Sequence, residues 1–548
     1  MKILLIEPIK FFVKWPQFCT TWYFRIRALG LQQLAALFPD ETFVIDGMND
    51  KWPQEKVAKI LMEHNSKENV IGVSSHSTAN TRNTFYTVKF VKAYAPKATI
   101  VMGGYHATFF HKKWIKIGAD VVIRHEGEVT FKTLVNKIKE LQSGGTISEA
   151  DLVGTTYSPE WLARINSREP ASDPLVEKYQ LRSPKAWKAI YDIPKFFYDR
   201  QSIVAPDRPF LPTLDDFPIP DRTKLDFTKD FYPMGNKGHV TCIESARGCP
   251  YSCEFCSTRT MWKESQRYKS IPKIIEEIKA CVKMGIQGFL FVDESWGVNK
   301  KHAIGFMEAL KAAKMHVTWA IQIRVDTIIN NPDLVKMAGE TGCRVAMVGF
   351  ETVNQKTNDI CNKKTSVRDF YKAKKILEGA NIMSMSYFLT GLPDETRKDW
   401  RMTIEGSRTL SELAIIQPFI PYCRRTEEEA RKNIGEDEFA IRQKFSIKDF
   451  NASEGIIKKT RALNRDISTY ILRFALSPIT IYRSLHAKTI IEKNRKRVYK
   501  HFYMTLFHLV LEFRPQNFLN SIRAINIASI YASIKAHRST KTRNGMEK

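Results

Sequence analysis

Three cysteines stand close together in the middle of the chain, in the sequence RGCPYSCEFC at positions 247–256. Cys249, Cys253 and Cys256 follow a C-x3-C-x2-C spacing, whereas the other six of the nine cysteines are scattered along 548 residues. Cysteine thiolates bind iron–sulfur clusters, usually four to a cluster. With three thiolates, one iron of a [4Fe–4S] cluster keeps an open position that the amino and carboxylate groups of a small molecule can chelate. The alternative is a structural zinc site, which would need a fourth Cys or His, and no second Cys pair follows at zinc-finger spacing.

The elements that must position these thiols are expected to form a curved parallel sheet. From about residue 239 apolar runs alternate with helical patterns, which predicts a partial, TIM-like (β/α)6 barrel over 239–430. The six runs are HVTCIESA, GFLFVDE, HVTWAIQIR, RVAMVGFE, SMSYFLTG and AIIQPFI. The predicted helices lie near 271–284, 300–314, 332–341, 366–380 and 395–410. Functional groups of such barrels sit at the carboxyl ends of the strands, and the cysteines come straight after the first run.

The C-x3-C-x2-C spacing after a first barrel strand resembles the signature of the radical S-adenosylmethionine (SAM) superfamily. The resemblance implies a [4Fe–4S] cluster on the three cysteines. It also implies reductive cleavage of SAM to a 5′-deoxyadenosyl radical that abstracts hydrogen from a substrate. In such enzymes the cofactor carries the chemistry, while the protein positions it and excludes competing reactions. Phe255 matches the aromatic residue that relatives place near the cluster, although ordinary core packing explains it equally well.

Residues at successive strand ends match the SAM-binding positions of this superfamily: Asp293, Glu294, Gln322, Arg324, Glu351 and Gly391. By resemblance, the acidic pair would accept from the SAM amino group, and Arg324 would pair with the SAM carboxylate through its planar fork. Glu351 would bind the ribose hydroxyls, and Gly391 would let the backbone approach the adenine. Each polar residue taken alone fits a solvated loop or a structural ion pair better, so their recurrence is what favours a site.

Residues 1–140 alternate strand and helix patterns and predict a doubly wound, Rossmann-like parallel sheet. The predicted strands are KILLIEP, TFVIDG, VIGVSSHS, ATIVMGGYHA and ADVVIRHEGE, and a helical period covers Leu29–Phe38. Ligands of such sheets bind beyond the carboxyl ends of the strands. Those ends carry Ser74, Ser75, His76, Gly103, Gly104 and His106.

Upstream of a radical SAM barrel, this sheet resembles the cobalamin-binding domain of cobalamin-dependent radical SAM enzymes. The resemblance rests on VIGVSSHS, VMGGYHAT and ADVVIRHEGEVTF, and it implies that the first two of these loops cradle the lower face and nucleotide tail of cobalamin. Small residues suit such a loop because the ligand must approach the backbone closely. The D-x-H-x-x-G motif that supplies a lower axial His in methionine-synthase-like domains is absent. A His beside Gly-Gly at a strand end is more often a hydrogen-bonding loop residue than a ligand, and a domain of this shape with an empty site is the alternative.

Two further regions are predicted: a connecting segment over 141–238 and a basic, amphipathic helical region over 431–548. The net charge is +27, and the chain from Ile457 onward holds 19 Lys+Arg against 4 Asp+Glu, which is +15. Such helices can lie on anionic lipid, or they can pack on the barrel with a solvated basic face. A nucleic-acid partner is disfavoured, because no RNA-binding module is recognisable. With no signal-peptide h-region and no apolar stretch of ~20 residues, the expected location is the cytoplasm, with peripheral contact at the inner face of the membrane as an option.

Across most of the chain the order of parts resembles a group that holds the anaerobic magnesium-protoporphyrin IX monomethyl ester cyclase, hopanoid methylases and archaeal tetraether ring-forming enzymes. This implies a cobalamin-dependent radical SAM enzyme that methylates, cyclises or oxidises a small apolar substrate, an isoprenoid lipid or a tetrapyrrole. Flavodoxin or ferredoxin would supply electrons. The run QPFIPYCRR departs from the Pro-rich pattern of the cyclase, and its Cys423 fits a second catalytic thiol or a small hydrophobe. The alternatives are a radical SAM modifier of RNA or peptide, and a non-enzymatic cobalamin or redox sensor.

Overall fold

The chain divides into two compact units, seen in a computed structural model. The first holds the described residues of Met1–Asp230 and Thr241–Gly285, and the second holds those of Phe231–Val240 and Ile286–Ile420. The structure describes residues 1–9, 28–47, 52–76, 81–167, 198, 200–225, 239–253, 255–392, 395–411 and 413–418. The helices predicted over 431–548 and Cys423 therefore lie outside the described residues. Among the residues described, no helix is both long and apolar enough to cross a bilayer.

The amino-terminal part of the first unit is built around one sheet. Its elements are β1 (Ile3–Glu7), α1 (Leu29–Ala35), β2 (Thr42–Asp46), α2 (Gln54–Glu63), β3 (Val70–Ser74), α3 (Thr81–Tyr94), β4 (Thr99–Gly103), α4 (Tyr105–Phe109), α5 (His111–Ile117), β5 (Val121–Ile123), α6 (Glu128–Glu140), β6 (Thr155–Tyr157), α7 (Pro159–Ser167) and β7 (Ile203–Val204). The strand order is β2-β1-β3-β4-β5-β6-β7. Strands β1 to β5 are parallel and almost wholly buried, as expected for apolar runs covered on both faces. The predicted Rossmann-like sheet is confirmed.

Strands β6 and β7 extend this sheet with antiparallel pairing. They come from the segment predicted to connect two domains, and their three and two residues are too short to show a strand period in the sequence. The boundary placed after residue 140 stays a prediction, but the sheet continues beyond it.

Asp120 precedes β5 and gathers three cations at the amino end of that strand. Its carboxylate lies 3.4 Å from Lys92, 3.1 Å from Arg200 and 3.7 Å from Arg164, and it accepts the N–H of Ile100 at 2.9 Å. Burial opposes ionisation of Asp120, but the cations and the N–H outweigh it and lower the pKa of this carboxyl below its ordinary value. The ionised form is therefore part of the fold.

The described residues from Val240 to Lys283, all but Val240 in the first unit, contain a hairpin whose two strands flank the cysteines in sequence. Its elements are β8 (Val240–Ile243), β9 (Ala246–Gly248), α8 (Thr258–Trp262), β10 (Gln266–Tyr268) and α9 (Ile271–Lys283). Strands β9 and β10 pair antiparallel, with Arg247 opposite Arg267. Gly248 has φ +96°, and a Cβ there would collide with the carbonyl oxygen of Ser265. Only glycine fits at this position, directly before Cys249.

The second unit contains the strands that follow the hairpin in sequence. Its elements are β11 (Gly288–Phe291), α10 (Lys300–Ala312), β12 (Thr318–Ile323), α11 (Val325–Asn330), α12 (Pro332–Glu340), β13 (Cys343–Glu351), α13 (Gln355–Ile360), α14 (Val367–Gly379), β14 (Met383–Thr390), α15 (Arg397–Leu410) and β15 (Leu413–Pro418). Within this unit the strands follow the order β15-β14-β13-β12-β11, and all five are parallel. All six predicted strands and five predicted helices are present, which confirms the α/β class of this domain. Helices α11 and α13, of six residues each, were not predicted.

The Asp120 site predicts a large effect on stability. Asp120→Asn would keep an acceptor for Ile100 but remove the carboxylate that compensates Lys92, so we expect the free energy of unfolding to fall by about 3–5 kcal/mol. Glu41→Gln, which removes a half-buried pair with Lys139, should cost at most about 1 kcal/mol. Both are measured by urea denaturation.

The loss of stability in Asp120→Asn should depend on pH. The lowered pKa of Asp120 stabilises the fold above the carboxyl's unfolded-state pKa, and this contribution is lost as pH falls toward the folded-state value. The difference between wild type and Asp120→Asn should therefore narrow below about pH 4. An Asp120→Asn protein as stable as Glu41→Gln at neutral pH would contradict this account.

Candidate active site

The cysteine loop, residues 249–256, connects β9 to α8. Cys253 is buried, whereas Cys249 and Cys256 are partly exposed, and the N–H of Cys256 donates to the carbonyl of Cys253 at 3.1 Å. The three thiols thus lie on one short loop that a ligand can reach from outside. This donor set fits an iron–sulfur cluster, because it offers three thiols on one loop and two of them are partly exposed.

Three of the scattered cysteines behave differently. Burial raises the pKa of Cys242 to about 12, of Cys281 to about 11 and of Cys343 to about 12. At neutral pH these are protonated thiols that pack as small apolar groups.

Within the described ranges, no three His, Cys, Asp or Glu side chains are grouped closely enough to hold one metal ion. A structural zinc would need such a group. A [4Fe–4S] cluster instead takes one thiolate on each of several irons, so its cysteines need not converge on one point.

The predicted cobalamin loops lie side by side at the carboxyl ends of β3 and β4. Ser75 donates its N–H to the carbonyl of Gly103 at 2.8 Å, and its own carbonyl accepts the N–H of His106 at 3.0 Å. Gly104 has φ +101°, and a Cβ there would stand 2.7 Å from the carbonyl oxygen of Ser75. A Cβ on Gly103 would meet nothing within 4 Å. One glycine therefore permits the close packing of the loops, and the other leaves the open space that a bulky ligand requires.

The two histidines of these loops have structural partners. The His76 Nε2 lies 2.8 Å from Ser74 Oγ and 3.3 Å from Glu7, whose charge raises the pKa of this half-exposed imidazole. His106 is buried, with Nδ1 at 3.4 Å from Ser75 Oγ and Nε2 at 3.1 Å from Thr81 Oγ1. Burial lowers the pKa of His106 to about 3, so this ring is neutral. Both rings act as hydrogen-bonding loop residues in this structure.

Helix α8, which follows the cysteine loop, contacts the start of α4 and the loop after β5 within the first unit. On α8, the indole N–H of Trp262 donates to the Tyr105 hydroxyl at 2.7 Å. One residue earlier, the Met261 carbonyl lies 2.9 Å from Nδ1 of His125. His125 has φ +58°, a conformation that is uncommon for a residue with a side chain.

In the second unit, the structure connects two of the predicted SAM residues through a third residue that the sequence did not indicate. Lys363 Nζ lies 2.6 Å from Glu351 Oε1, and both side chains are buried. The Lys363 carbonyl accepts Nη2 of Arg324 at 3.1 Å. The Arg324 fork, predicted to face the SAM carboxylate, binds both oxygens of Asp326, with Nε and Nη2 each at 2.9 Å from one of them.

The backbone at the end of β13 is shaped to accommodate the Glu351–Lys363 ion pair. Glu351 has φ +64°, and the strand register shifts between Gly349 and Glu351. A Cβ on Gly349 would collide with Glu351 Oε1 and stand 2.9 Å from Lys363 Nζ. The glycine of VGFE therefore makes room for the ion pair. Asp293 is buried, and Glu294 and Gln322 are partly exposed at their strand ends, with the Gln322 carbonyl accepting the N–H of Trp296 at 2.8 Å.

The turn after β14 holds a carboxyl group that sequence reasoning missed. Glu395 is buried, and its Oε2 accepts the N–H of Gly391, which has φ +80°. Its Oε1 is buried without a hydrogen-bond partner among the described residues. Burial raises the pKa of Glu395 to about 7, against the opposing effect of the Gly391 and Leu392 N–H groups. The LTGLPDET turn contained this residue, but only the fold shows that its carboxylate closes the turn.

Two family profiles match the chain. The radical SAM superfamily matches residues 243–405, and the B12-binding domain matches residues 18–135. The first range contains the cysteine loop and the second the loops after β3 and β4. The chain belongs to the cobalamin-dependent radical SAM superfamily. It is an enzyme of radical SAM type, and its cofactors are a [4Fe–4S] cluster, SAM and cobalamin.

Curated relatives in this superfamily are distant. An uncharacterized methyltransferase of Pyrococcus horikoshii is 25% identical over 393 residues, which cover 70% of this chain and 73% of the relative. The anaerobic magnesium-protoporphyrin IX monomethyl ester cyclase of Rubrivivax gelatinosus is 24% identical, over 67% of this chain and 59% of the cyclase. The hopanoid C-3 methylase of Methylococcus capsulatus is 23% identical, over 77% of this chain and 71% of the methylase. The alignment thus spans little more than half of the cyclase.

Solved structures of two radical SAM enzymes share the fold. The methyltransferase TsrM of Kitasatospora setae, with cobalamin and a [4Fe–4S] cluster bound, has a TM-score of 0.55 at 13% identity over 76% of this chain and 72% of its own. The cobalamin-dependent enzyme OxsB, with aqua-cobalamin and SAM bound, has a TM-score of 0.53 at 14% identity over 81% of this chain and 56% of its own. At these identities the likeness shows the architecture alone.

The Lys363 pair predicts a coupled loss of stability and SAM affinity. Lys363→Met would leave the Glu351 carboxylate buried without its cation, which should lower the free energy of unfolding by about 3–5 kcal/mol. SAM binding should also weaken, because Glu351, a predicted SAM contact, loses the group that orients it. Lys372→Met, which removes an exposed pair with Asp369, is the matched control. Equal effects of the two variants in denaturation and SAM titration would refute the role of Lys363.

The raised pKa of Glu395 predicts that a neutral side chain at this position stabilises the fold at high pH. Since the folded-state pKa lies above the unfolded-state value, the carboxyl binds more proton when folded, and stability falls as pH rises from about 4.5 to about 7. Glu395→Gln cannot ionise and can still accept from Gly391. It should match wild type near pH 5 and exceed its stability near pH 8 by up to about 3 kcal/mol. A difference that stays constant between those pH values in urea denaturation would rule out the raised pKa.

Proposed function

We propose that this enzyme is a C-methyltransferase that acts on a small apolar molecule, an isoprenoid lipid or a tetrapyrrole. The observation that carries the proposal is that helix α8, directly after the cysteine loop, contacts Tyr105 after β4 and His125 after β5 within one compact unit. Such contacts keep the thiols of the cluster and the predicted cobalamin loops at a fixed separation, as a reaction that uses both cofactors requires. The names of the Pyrococcus and Methylococcus relatives, a methyltransferase and a methylase, support this choice.

Each group of residues has a proposed task. Cys249, Cys253 and Cys256 hold the cluster, and the loops with Gly103 and Gly104 receive cobalamin. When bound, the cluster supplies the electron that cleaves SAM to a 5′-deoxyadenosyl radical, and cobalamin carries the methyl group. The chain's own residues bind and orient these groups and keep water away from the radical.

The residues proposed to bind SAM have different surroundings in the structure. Glu351 lies beside Lys363, which fixes its carboxylate for a hydroxyl partner, and Gly391 stands at a turn that Glu395 closes. Arg324 binds Asp326, so pairing with the SAM carboxylate would require this side chain to share its guanidinium N–H groups. Asp293, Glu294 and Gln322 keep the roles that the superfamily resemblance implies.

A second candidate is ring closure or oxidation of the same class of substrate. Its support is the similarity to the anaerobic magnesium-protoporphyrin IX monomethyl ester cyclase, which covers 67% of this chain. A flavodoxin- or ferredoxin-type reductant suits either reaction. Peripheral membrane contact through the basic residues 457–548 stays a prediction from composition.

The experiment is an anaerobic reconstitution of the full chain with iron, sulfide and cobalamin. The loaded enzyme is incubated with a reductant, SAM labelled with deuterium in its methyl group, and lipid and tetrapyrrole extracts of a strain that lacks the gene. We expect 5′-deoxyadenosine together with a product that carries the labelled methyl group, both detected by mass spectrometry. Cys256→Ala should abolish both products, because the cluster loses a ligand.

Cys281→Ala is the matched control, since it removes a buried thiol outside the loop. It should retain the iron–sulfur absorption and the labelled product. A product that loses hydrogen without gaining label would replace the methyltransferase by the second candidate. If Cys256→Ala keeps SAM cleavage, the assignment of the cluster to the loop is wrong.

A further inference from the structure

The sequence HEGE at 125–128 follows β5 and lies within the residues that match the B12-binding domain. Its two acidic residues have no part in the proposed cobalamin site. In the structure, Glu126 and Glu128 face the hairpin that carries the cysteine loop. They meet Arg247, which precedes Cys249 by two residues. The group of Glu126, Glu128, Glu244, Arg247 and Arg267 is called the Arg247 clamp below.

Arg247 makes contacts with all three carboxylates of the clamp. Its Nε and Nη2 form a fork on Glu244, at 3.0 and 2.7 Å. Nη1 donates to Glu126 at 3.0 Å, and Nη2 donates to Glu128 at 2.9 Å. Glu126 and Glu128 stand more than a hundred residues before Arg247, so the contact joins distant parts of the chain.

Arg267 provides the second cation. It stands directly opposite Arg247 across the β9–β10 hairpin, where two like charges would repel. Glu126 bridges them, because its two oxygens accept from Arg267 at 2.7 and 3.0 Å while one also accepts from Arg247. The hairpin in this form therefore depends on a carboxylate supplied by the loop after β5.

The clamp is largely shielded from water. The side chains of Arg247, Glu126 and Glu128 are each only 9–10% exposed. The rings of Phe217 and Trp262 lie 5.1 and 5.7 Å from the Arg247 guanidinium. At such burial a planar guanidinium with several carboxylate partners holds its geometry far more tightly than a surface pair does.

Burial opposes ionisation of Glu244, but Arg247 outweighs it and keeps the pKa of this carboxyl below its ordinary value. Glu244 therefore contributes a carboxylate to the clamp at neutral pH. Loss of one carboxylate would leave a buried cation whose neighbours must rearrange.

The other end of the cysteine loop is held by residues that follow β4 and β5 of the first sheet. Immediately after Cys256, helix α8 places the Trp262 indole on Tyr105, after β4, and the Met261 carbonyl on His125, after β5. Gly248 fixes the backbone before Cys249. The loop is thus fastened on both sides to the edge of the sheet where the predicted cobalamin loops lie.

We propose that the Arg247 clamp, together with the Trp262–Tyr105 hydrogen bond, is a positioning device that sets the separation and orientation of the cysteine loop relative to the loops after β4 and β5. The inference rests on the proposed function in one respect, namely that the cluster and cobalamin occupy these loops. Its members are positioning residues and touch neither reacting atom. Displacing a reacting group by ~1 Å can lower the reaction rate about a hundredfold. The separation that these residues set therefore affects the rate.

The experiment measures the magnetic interaction between the two cofactors. In the holoenzyme reduced so that the cluster and Co(II) are both paramagnetic, pulsed EPR reports their dipolar coupling. Glu126→Gln removes the bridging charge, and Trp262→Phe removes one hydrogen bond while keeping an aromatic ring. We expect both variants to shift or broaden the coupling and to lower kcat by about tenfold or more, with the KM for SAM unchanged.

Matched controls stand at the opposite ends of the same strands. Asp120→Asn removes a buried carboxylate with several cations before β5. Trp161→Phe removes an indole hydrogen bond to Thr99, 3.1 Å long, at the start of β4. Both should retain the wild-type coupling at equal iron and cobalamin content, even where their stability falls.

Each result decides the inference. An altered coupling in Glu126→Gln and Trp262→Phe with unaltered controls supports it. Wild-type coupling in both clamp variants, or equal changes in all four proteins, overturns it. If Glu126→Gln does not fold or load, Trp262→Phe against Trp161→Phe gives the answer. A wild-type protein that binds no cluster would instead overturn the proposed function.

Discussion

A guanidinium buried beside three carboxylates is stable only while every partner stays in place, and the loop that carries the three cysteines begins two residues after that guanidinium. Breaking one such buried ion network costs far more than breaking a surface pair. The constraint works in both directions. It fixes the β9–β10 hairpin, and it ties the hairpin to the loop after β5 through Glu126.

Close backbone contacts, together with the ion pairs, hold the strand ends and loops in place. Gly248 and Gly104 adopt positive φ where a Cβ would strike a carbonyl group of the next strand or loop, and Gly349 leaves room for the Glu351–Lys363 pair. Each glycine stands at a strand end beside a residue of a predicted site. Side chains at these positions would push apart segments that must touch, so steric exclusion and ion pairing act on the same elements.

The sequence predicted the strands and helices well because long apolar runs and helical periods are local signals. The cysteine loop was equally visible, since its spacing lies within eight residues. The clamp was not, because Glu126 and Arg247 are 121 positions apart and no periodicity links them. Lys363 was missed for a similar reason: it follows Glu351 by 12 residues, across helix α13, and only the fold brings Nζ onto the carboxylate. Strands β6 and β7 were missed because they are too short to show alternation.

Hydrogen bonding, burial and charge also decide whether the histidines at the carboxyl edge of the first sheet could ligate the metal of cobalamin. His106 is neutral and buried, and both ring nitrogens have hydroxyl neighbours, so ligation to a metal would require it to give up one of them and to move out of its packing against Phe110. His76 is held by the charge of Glu7, and metal ligation would require its imidazole to release a proton that Glu7 favours. His125 is committed to the Met261 carbonyl. These three rings stabilise the loops and the hairpin, which accords with a sequence that lacks the D-x-H-x-x-G motif.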